Sequence, residues 1–549
     1  MASRIASLCG VLATVFVIYL IAPTEGKPFP APDLKLCSYA FNSTEGCCTL
    51  PAPPGPVKKF DFKPRLPMRV RQAAHLVDDA YIAKYQKAVE LMRALPETDG
   101  RSFTAQYRLH CAYCNNHLHF PENEYPLEIH QTWLFLPWHR LYLYFHERIL
   151  AKLIGDDTFA LPYWNWDNQD STQNPLPNIF PKVYQDNNTY FANPINKTSP
   201  LFDPLRNACA TQSVPPRLVE FQDVVGIPCI PKNPEAVRLE NAHLLWTQFL
   251  SGGPTPLTFH GAPYRFGDYG GVGMGTLEAR PHGPVHIWTN VIKMSTNKDS
   301  ASDPIFFSHH ANVDRLWEMW KTLPGKYRKD ISDPDYLNTE FTFYDEDGEQ
   351  VSVCVKQALD LDLLRYKYTN SSADWVENGA VSKAAGPQWK HCNPNATAAD
   401  DDALIAATPA FNGFLFVKSA PTTFKLKREP YRSELHGEEL LELKGKLDWH
   451  QRHLQNIFVF LPNSTYETTS IGCLEFIGNM FSFPHPGMSP DLQPELTFRF
   501  GIRRKLEVMG RANLTEIVIT MVGENAAPPF IAGEAGFNLT SAKIVYSKN

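Results

Sequence analysis

The segment Pro281-His-Gly-Pro-Val-His286 places two imidazoles four residues apart. On a helix that spacing sets His282 and His286 on one face, about one turn apart, where both reach a single ion. Surface helices carry such pairs too, so the pair alone does not make a site. Zinc is the common occupant, but the glutamate of a zinc-protease HExxH is missing, because Gly283 follows His282. A second block, Asp303-Pro-Ile-Phe-Phe-Ser-His-His-Ala-Asn-Val-Asp-Arg-Leu-Trp317, holds adjacent histidines. Neighbours on a helix point roughly 100° apart, so only one faces a given site. His309 shares its face with Val313 and Leu316 and reads as core. His310 shares its face with Asp314, an acceptor expected to orient a nearby imidazole.

The third region contributes His110, His130 and His139. An unbroken helix would turn His130 and His139 to opposite faces. Pro137 resolves this, since proline suits the first turn of a helix and disfavours helix before it. His130 is therefore expected on the preceding loop or helix end, with His139 facing inward from the new helix. His117, His119 and His146 compete for the same role, and His146, on roughly the face of His139, is the strongest rival.

These residues need rigid elements to hold them. From residue 70, Ala74, Val77, Tyr81, Tyr85 and Val89 fall at three- and four-residue steps, the helical period. Further helices fit residues 137–154, 239–250, 284–291 and 309–320, with long loops at 169–207 and 261–275. After Tyr368 the style changes. Residues 370–404 carry sequons, Pro, Gly and the acidic run Asp400-Asp401-Asp402, a linker composition. Short apolar or alternating segments follow at 413–417, 456–461, 496–500, 516–522 and 542–546, the pattern of an antiparallel β sandwich. The expected organisation is a cysteine-bearing arm (27–69), a mainly α-helical bundle holding the metal site (70–369), a linker (370–404) and a C-terminal β domain (405–549).

The chain has 549 residues and a net charge of −6, which gives no electrostatic reason to expect nucleic acid. Residues 1–26 read as a secretory signal peptide: Arg4, an apolar run over 11–21, then small residues up to Gly26. The run is short for a spanning helix, so no membrane insertion is expected after its removal. A chloroplast transit peptide would be rich in Ser and Arg, so the vacuole lumen or the apoplast is the expected destination. Sequons at Asn42, Asn187, Asn196, Asn370, Asn395, Asn463, Asn513 and Asn538 predict N-glycans on that route. The cysteines beyond residue 26 then default to disulfides, with Cys209 and Cys229 a plausible pair. Cys354, Cys392 and Cys473 find no assignment.

The blocks around 130–140, 282–288 and 303–317 resemble the plant polyphenol oxidases, type-3 dicopper enzymes, and the likeness runs from about residue 37 to 546. The resemblance implies one copper on His110, His130 and His139 and another on His282, His286 and His310, and it too selects His310 over His309. Neutral imidazole suits copper in both oxidation states, and three ligands leave positions open for dioxygen and substrate. The implied chemistry is oxidation of a phenol or o-diphenol to an o-quinone by dioxygen. The family also implies a thioether between Cys114 and His130, and disulfides Cys37–Cys48 and Cys47–Cys111. Glu278 stands where relatives hold a water near the coppers, and it is expected to accept a phenolic proton directly or through that water. Gly283 and Ile287 are expected in the substrate pocket; hydroxylating relatives often present asparagine at the position of Gly283, which weighs against tyrosine-type hydroxylation. Tyr366 and Tyr368 match the Tyr-x-Tyr that closes the family's catalytic domain, with Arg71 packed against it. The β domain resembles the family's shielding domain, which implies a latent enzyme freed by proteolysis in the linker. Two other readings remain: a chalcone-cyclising aurone synthase with the same copper pair, and a haemocyanin-like oxygen carrier. A zinc hydrolase leaves the three histidine blocks unexplained.

Overall fold

The computed structural model describes residues 26–36, 47–53, 55–123, 125–185, 198–211, 215–221, 232–268, 272–369, 375, 391–392, 397–417, 420–429, 437–447, 453–461, 471–482, 495–523 and 536–548. Residues 1–25, six of the eight sequons, Cys37 and Cys229 lie outside the described residues.

The helical pattern expected from residue 70 becomes a helix only at Asp79–Ala94, where the Asp78 side chain caps the first turn by accepting the Tyr81 N–H. The preceding Arg69–Arg71 is a strand, parallel to Tyr366–Tyr368. Its period of two points Arg69 and Arg71 the same way, and both guanidinium groups donate to the buried carboxylate of Glu147, at 2.7 and 2.8 Å. Helix Phe103–Cys114 follows, then the twenty-residue helix Phe135–Ile154, whose third residue is Pro137 and which stops at left-handed Gly155 (φ 67°). Helix Gly283–Thr289 and helix Ile305–Thr322 complete the set around the site. The last begins a turn earlier than expected, so both His309 and His310 lie well inside it.

The arm is anchored by more than covalent staples. Phe29 is fully buried against Tyr264 and Phe266, and Phe60 packs edge-on to Phe145 at 4.9 Å. Cys48, not Cys47, is bonded to Cys111. Successive side chains on an extended segment point opposite ways; Cys48 is the inward, buried one, facing the helix that carries Cys111. That overturns the expected pairs Cys47–Cys111 and Cys37–Cys48. Cys47 and Cys209 each take part in a disulfide of their own, and Cys392 is bonded to Cys473.

The C-terminal region forms two four-stranded antiparallel sheets. One runs Phe476–Ser482, His453–Val459, Glu516–Gly523, Thr422–Lys427; the other runs Leu496–Gly501, Glu438–Leu447, Phe537–Ser547, Leu415–Val417. Phe424, Ile457 and Ile519 of the first share one apolar cluster with Leu443, Phe498 and Leu539 of the second.

The linker is shorter than its composition suggested. Trp375 is buried in the helical domain, 5.1 Å from Phe249, with its indole N–H donating to Asp167. Ala398–Ala407 is a helix with a Thr397/Asp400 capping box, and Asp401 pairs with Arg511 of the sheet region. The acidic run therefore belongs to a helix N-terminus, where carboxylates are favoured, and not to a spacer.

Candidate metal centre

Four helices and one loop bring the six predicted histidines together. His110 comes from Phe103–Cys114, His139 from Phe135–Ile154, His286 from Gly283–Thr289 with His282 immediately before it, and His310 from Ile305–Thr322. His130 lies on the loop ahead of its helix, and the next residue, Gln131, takes a left-handed turn (φ 60°). That conformation is uncommon for a residue with a Cβ, and here the Gln131 N–H donates to Glu278 at 2.8 Å. All six histidines are at most 5% exposed.

Ring centroids in the first trio lie 5.8 Å (His110–His130), 5.7 Å (His110–His139) and 5.3 Å (His130–His139) apart. In the second they lie 4.6 Å (His282–His286), 5.0 Å (His282–His310) and 5.2 Å (His286–His310) apart. The trios adjoin, with His139 stacked on His310 at 4.2 Å. In the second trio Nε2 of His286 is 3.0 Å from Nε2 of His282 and 3.2 Å from Nε2 of His310.

Main-chain carbonyls set the rings. Nδ1–H of His110 donates to Asn297 (2.9 Å), His139 to Phe135 (2.8 Å), His282 to Glu278 (3.1 Å) and His286 to Met294 (2.9 Å). A proton held on Nδ1 leaves the lone pair on Nε2. Nε2 of His110 and of His139 is buried with no hydrogen-bond partner, which fits a lone pair offered to a cation. Burial holds His110 and His286 down to about 3, and His139, His282 and His310 well below the ordinary range, with neighbouring imidazoles adding to the effect for all but His286. These five are therefore neutral, the ligand form.

By distance alone His309 also belongs to the second group. Its protonation argues otherwise. The Trp166 indole donates to His309 Nδ1 at 3.2 Å, so the His309 proton sits on Nε2 and no lone pair is left for a metal. His146 is excluded more simply, being stacked flat on Phe307 at 3.5 Å in an apolar setting. Cys114 is an unbonded, buried thiol grouped with His110, His130 and His139.

Asp314 does not orient an imidazole, contrary to its spacing. Its carboxylate accepts from Arg140 (2.5 Å), Arg71 (3.1 Å), Tyr366 (2.6 Å) and Tyr368. Burial alone would raise its pKa, but Arg140 and Arg71 hold it below the usual carboxylate range. Arg71 also lies over the Tyr366 ring at 3.8 Å. This network pins the His310 helix to both ends of the helical domain. Asp314→Ala takes one buried carboxylate from both guanidinium groups, leaving Arg71 to Glu147 and Arg140 to Glu318, and is expected to cost about 3 kcal/mol, read as a fall in Tm.

Glu278 is buried against the centre. One oxygen takes the Gln131 N–H, the other has no partner, and burial pushes its carboxyl well above the usual range. Gly283 and Ile287 are buried beneath the sheet region: a Cβ on Gly283 would meet the Phe481 ring at 3.3 Å, and Ile287 clusters with Phe481 and Leu454. A cavity of about 10 Å³ beside His110, His130, His282 and His286 has room for roughly one water and for no aromatic ring.

Some of the site escaped the sequence reading. Glu128, two residues before His130, is a buried carboxyl pushed up to about 8 by burial, with Asn116 donating to it at 2.7 Å. A lone acid in an apolar stretch was its only signal. The carbonyls of Met294 and Asn297 had none, because any residue type supplies a carbonyl.

The family model for the common central domain of tyrosinase matches residues 100–323, and that for the polyphenol oxidase middle domain matches residues 330–380. A polyphenol oxidase of Vitis vinifera is 36% identical over 516 residues, 90% of this chain and 80% of that protein. The chain belongs to the plant polyphenol oxidase family. Aureusidin synthase of Antirrhinum majus is 35% identical over 523 residues, 92% of this chain and 88% of that protein. The solved structure of latent apple tyrosinase matches with a TM-score of 0.74 at 32% identity, covering 90% of this chain and 100% of that one. The resemblance read from the histidine blocks therefore holds, and the chain is a tyrosinase-type oxidoreductase whose family implies a dicopper centre. Several polyphenol oxidase relatives, the Vitis vinifera protein among them, are named chloroplastic. That overturns the expectation of vacuole or apoplast: an apolar run ending in small residues marks passage across a membrane without saying which. Among the described residues no helix is long and apolar enough to cross a membrane.

Proposed function

We propose that the chain oxidises o-diphenols to o-quinones with dioxygen, using one copper held by His110, His130 and His139 and another held by His282, His286 and His310. The observation that carries this reading is the pair of adjoining, buried imidazole trios, in which the Nδ1 protons of His110, His139, His282 and His286 are held by main-chain carbonyls away from the centre. Bound copper would supply oxygen activation and take up the substrate's electrons. The chain supplies the rest. Main-chain carbonyls aim the rings, the Phe135 and Phe306 rings wall the trios, and Glu278, in its ionised form, presents an unpartnered oxygen to receive a phenolic proton, which burial makes it hold firmly. The Cys114 sulfur, within 4.8 Å of a His130 ring nitrogen, supports the reading of a thioether between them. Gly283 offers no side chain to position a water, which favours diphenol oxidation over monophenol hydroxylation.

The two C-terminal sheets are read as a β sandwich that shields the centre and keeps the full-length chain latent. Phe481 and Leu454 on its inner sheet occupy the space above Gly283 and Ile287 where a phenol would enter. Chalcone cyclisation is the second reading, favoured by the relative named aureusidin synthase. An oxygen carrier is the third; the relatives named as oxidases and synthases weigh against it. A chloroplast location follows the relatives' names, and it removes the secretory ground on which N-glycans were expected. Oxygen uptake by protein cleaved between residues 376 and 390, with catechols, monophenols and chalcones, tests the assignment. Fast uptake with catechols supports it; reversible oxygen binding without turnover would favour a carrier.

A further inference from the structure

We infer that the loop of residues 290–300 couples the two metal sites, so that filling one trio raises the affinity of the other. The loop supplies the acceptor for one ring of each trio: the Met294 carbonyl takes the His286 Nδ1–H and the Asn297 carbonyl takes the His110 Nδ1–H, both at 2.9 Å. Met294 and Asn297 are buried together with the loop's end residues Asn290 and Ser300, whereas Ile292 is 59% exposed, so the loop turns both acceptors inward.

Hydrogen bonds within the loop tie the two acceptors to each other. The Asn290 side chain accepts the N–H of Ile292 (2.8 Å) and of Lys293 (3.1 Å). The Thr296 hydroxyl donates to the Lys293 carbonyl (3.0 Å) and accepts the Asp299 N–H (3.2 Å). Outside the loop, the Lys293 ammonium is held by Asp203 at 2.6 Å. An ion that fixes His286 against Met294 therefore also sets Asn297 for His110. Linkage makes the effect reciprocal. Losing the outer partner of a metal-bound imidazole typically lowers metal affinity about 10–100-fold, which bounds the coupling. Two nearby cations repel, and that repulsion works in the opposite sense, so the loop's share is read by comparing variants.

The inference rests on the two-copper reading. Full-length apoprotein is titrated anaerobically with cuprous ion, and native mass spectrometry counts chains with zero, one and two coppers. Thr296→Val and Lys293→Ala remove no hydrogen bond to either trio. Each is expected to weaken both binding steps and to lower the ratio of the second to the first stepwise constant about tenfold, with Tm showing the fold intact. His286→Ala is expected to weaken the copper left on His110, His130 and His139 by a similar factor. Two coppers bound with that ratio unchanged in both loop variants, or a loss confined to one site, overturns the coupling alone. A chain that binds no copper overturns the reading beneath it as well.

Discussion

His310→Ala is expected to leave one copper per chain and to lower oxygen uptake with a catechol by more than about 100-fold, while His309→Ala keeps both coppers. The two rings are neighbours on one helix and both lie near His286, so distance does not separate them. Their hydrogen bonds do. His309 receives the Trp166 N–H on Nδ1 and must carry its own proton on Nε2. His310 turns Nε2 to within 3.2 Å of Nε2 of His286, and its Nδ1 accepts nothing that would move the proton. Losing a ligand costs more than losing an outer partner, which sets the lower bound of the expected effect. Copper content and oxygen uptake of the two variants decide the matter, and the reverse ranking would refute the assignment.

The second large effect concerns access. The full-length chain is expected to be nearly inactive until it is cut between residues 376 and 390. Trp375 belongs to the helical domain by its burial against Phe249, and Cys392 is tied to Cys473 of the sheet region. A cut between them leaves that disulfide wholly on the sheet region, so no covalent bond among the described residues retains it. The sheet region is held on the helical domain by main-chain bonds from Thr497 to Val272 (2.7 Å) and from Gly501 to Gly252 (2.9 Å). It is also held by the buried Lys505 ammonium, which donates to Thr247 at 3.1 Å and lies over Trp246. Truncating a buried phenylalanine costs about 3 kcal/mol, so Phe481→Ala is expected to shift docking about 100-fold and to raise the activity of uncut protein. Oxygen uptake before and after cleavage measures both effects. Equal rates in cut, uncut and Phe481→Ala protein would contradict shielding.

What the sequence revealed follows a physical division. Side chains with distinctive chemistry at helical spacing were legible: His282 with His286, and the His309–His310 doublet. Helix Phe103–Cys114, which carries His110, was not, because it is buried on nearly every face and shows no polar stripe. Strand Glu438–Leu447 was hidden by its charges: Glu439 is neutralised by Arg428 and Glu442 by Arg499, pairings visible only across the fold. Asp314 sits where spacing offers it to an imidazole, yet two arginines distant in sequence claim it. Cys47 and Cys48 are equivalent on paper, and only the inward direction of Cys48 selects it for Cys111.

The central claim is that six particular imidazoles hold two coppers. Crystals of copper-loaded protein, measured at the copper absorption edge, test it most directly. Two anomalous peaks are expected, one bound by His110, His130 and His139 and the other by His282, His286 and His310. A single peak, or a second peak bound by His309 in place of His310, would contradict it.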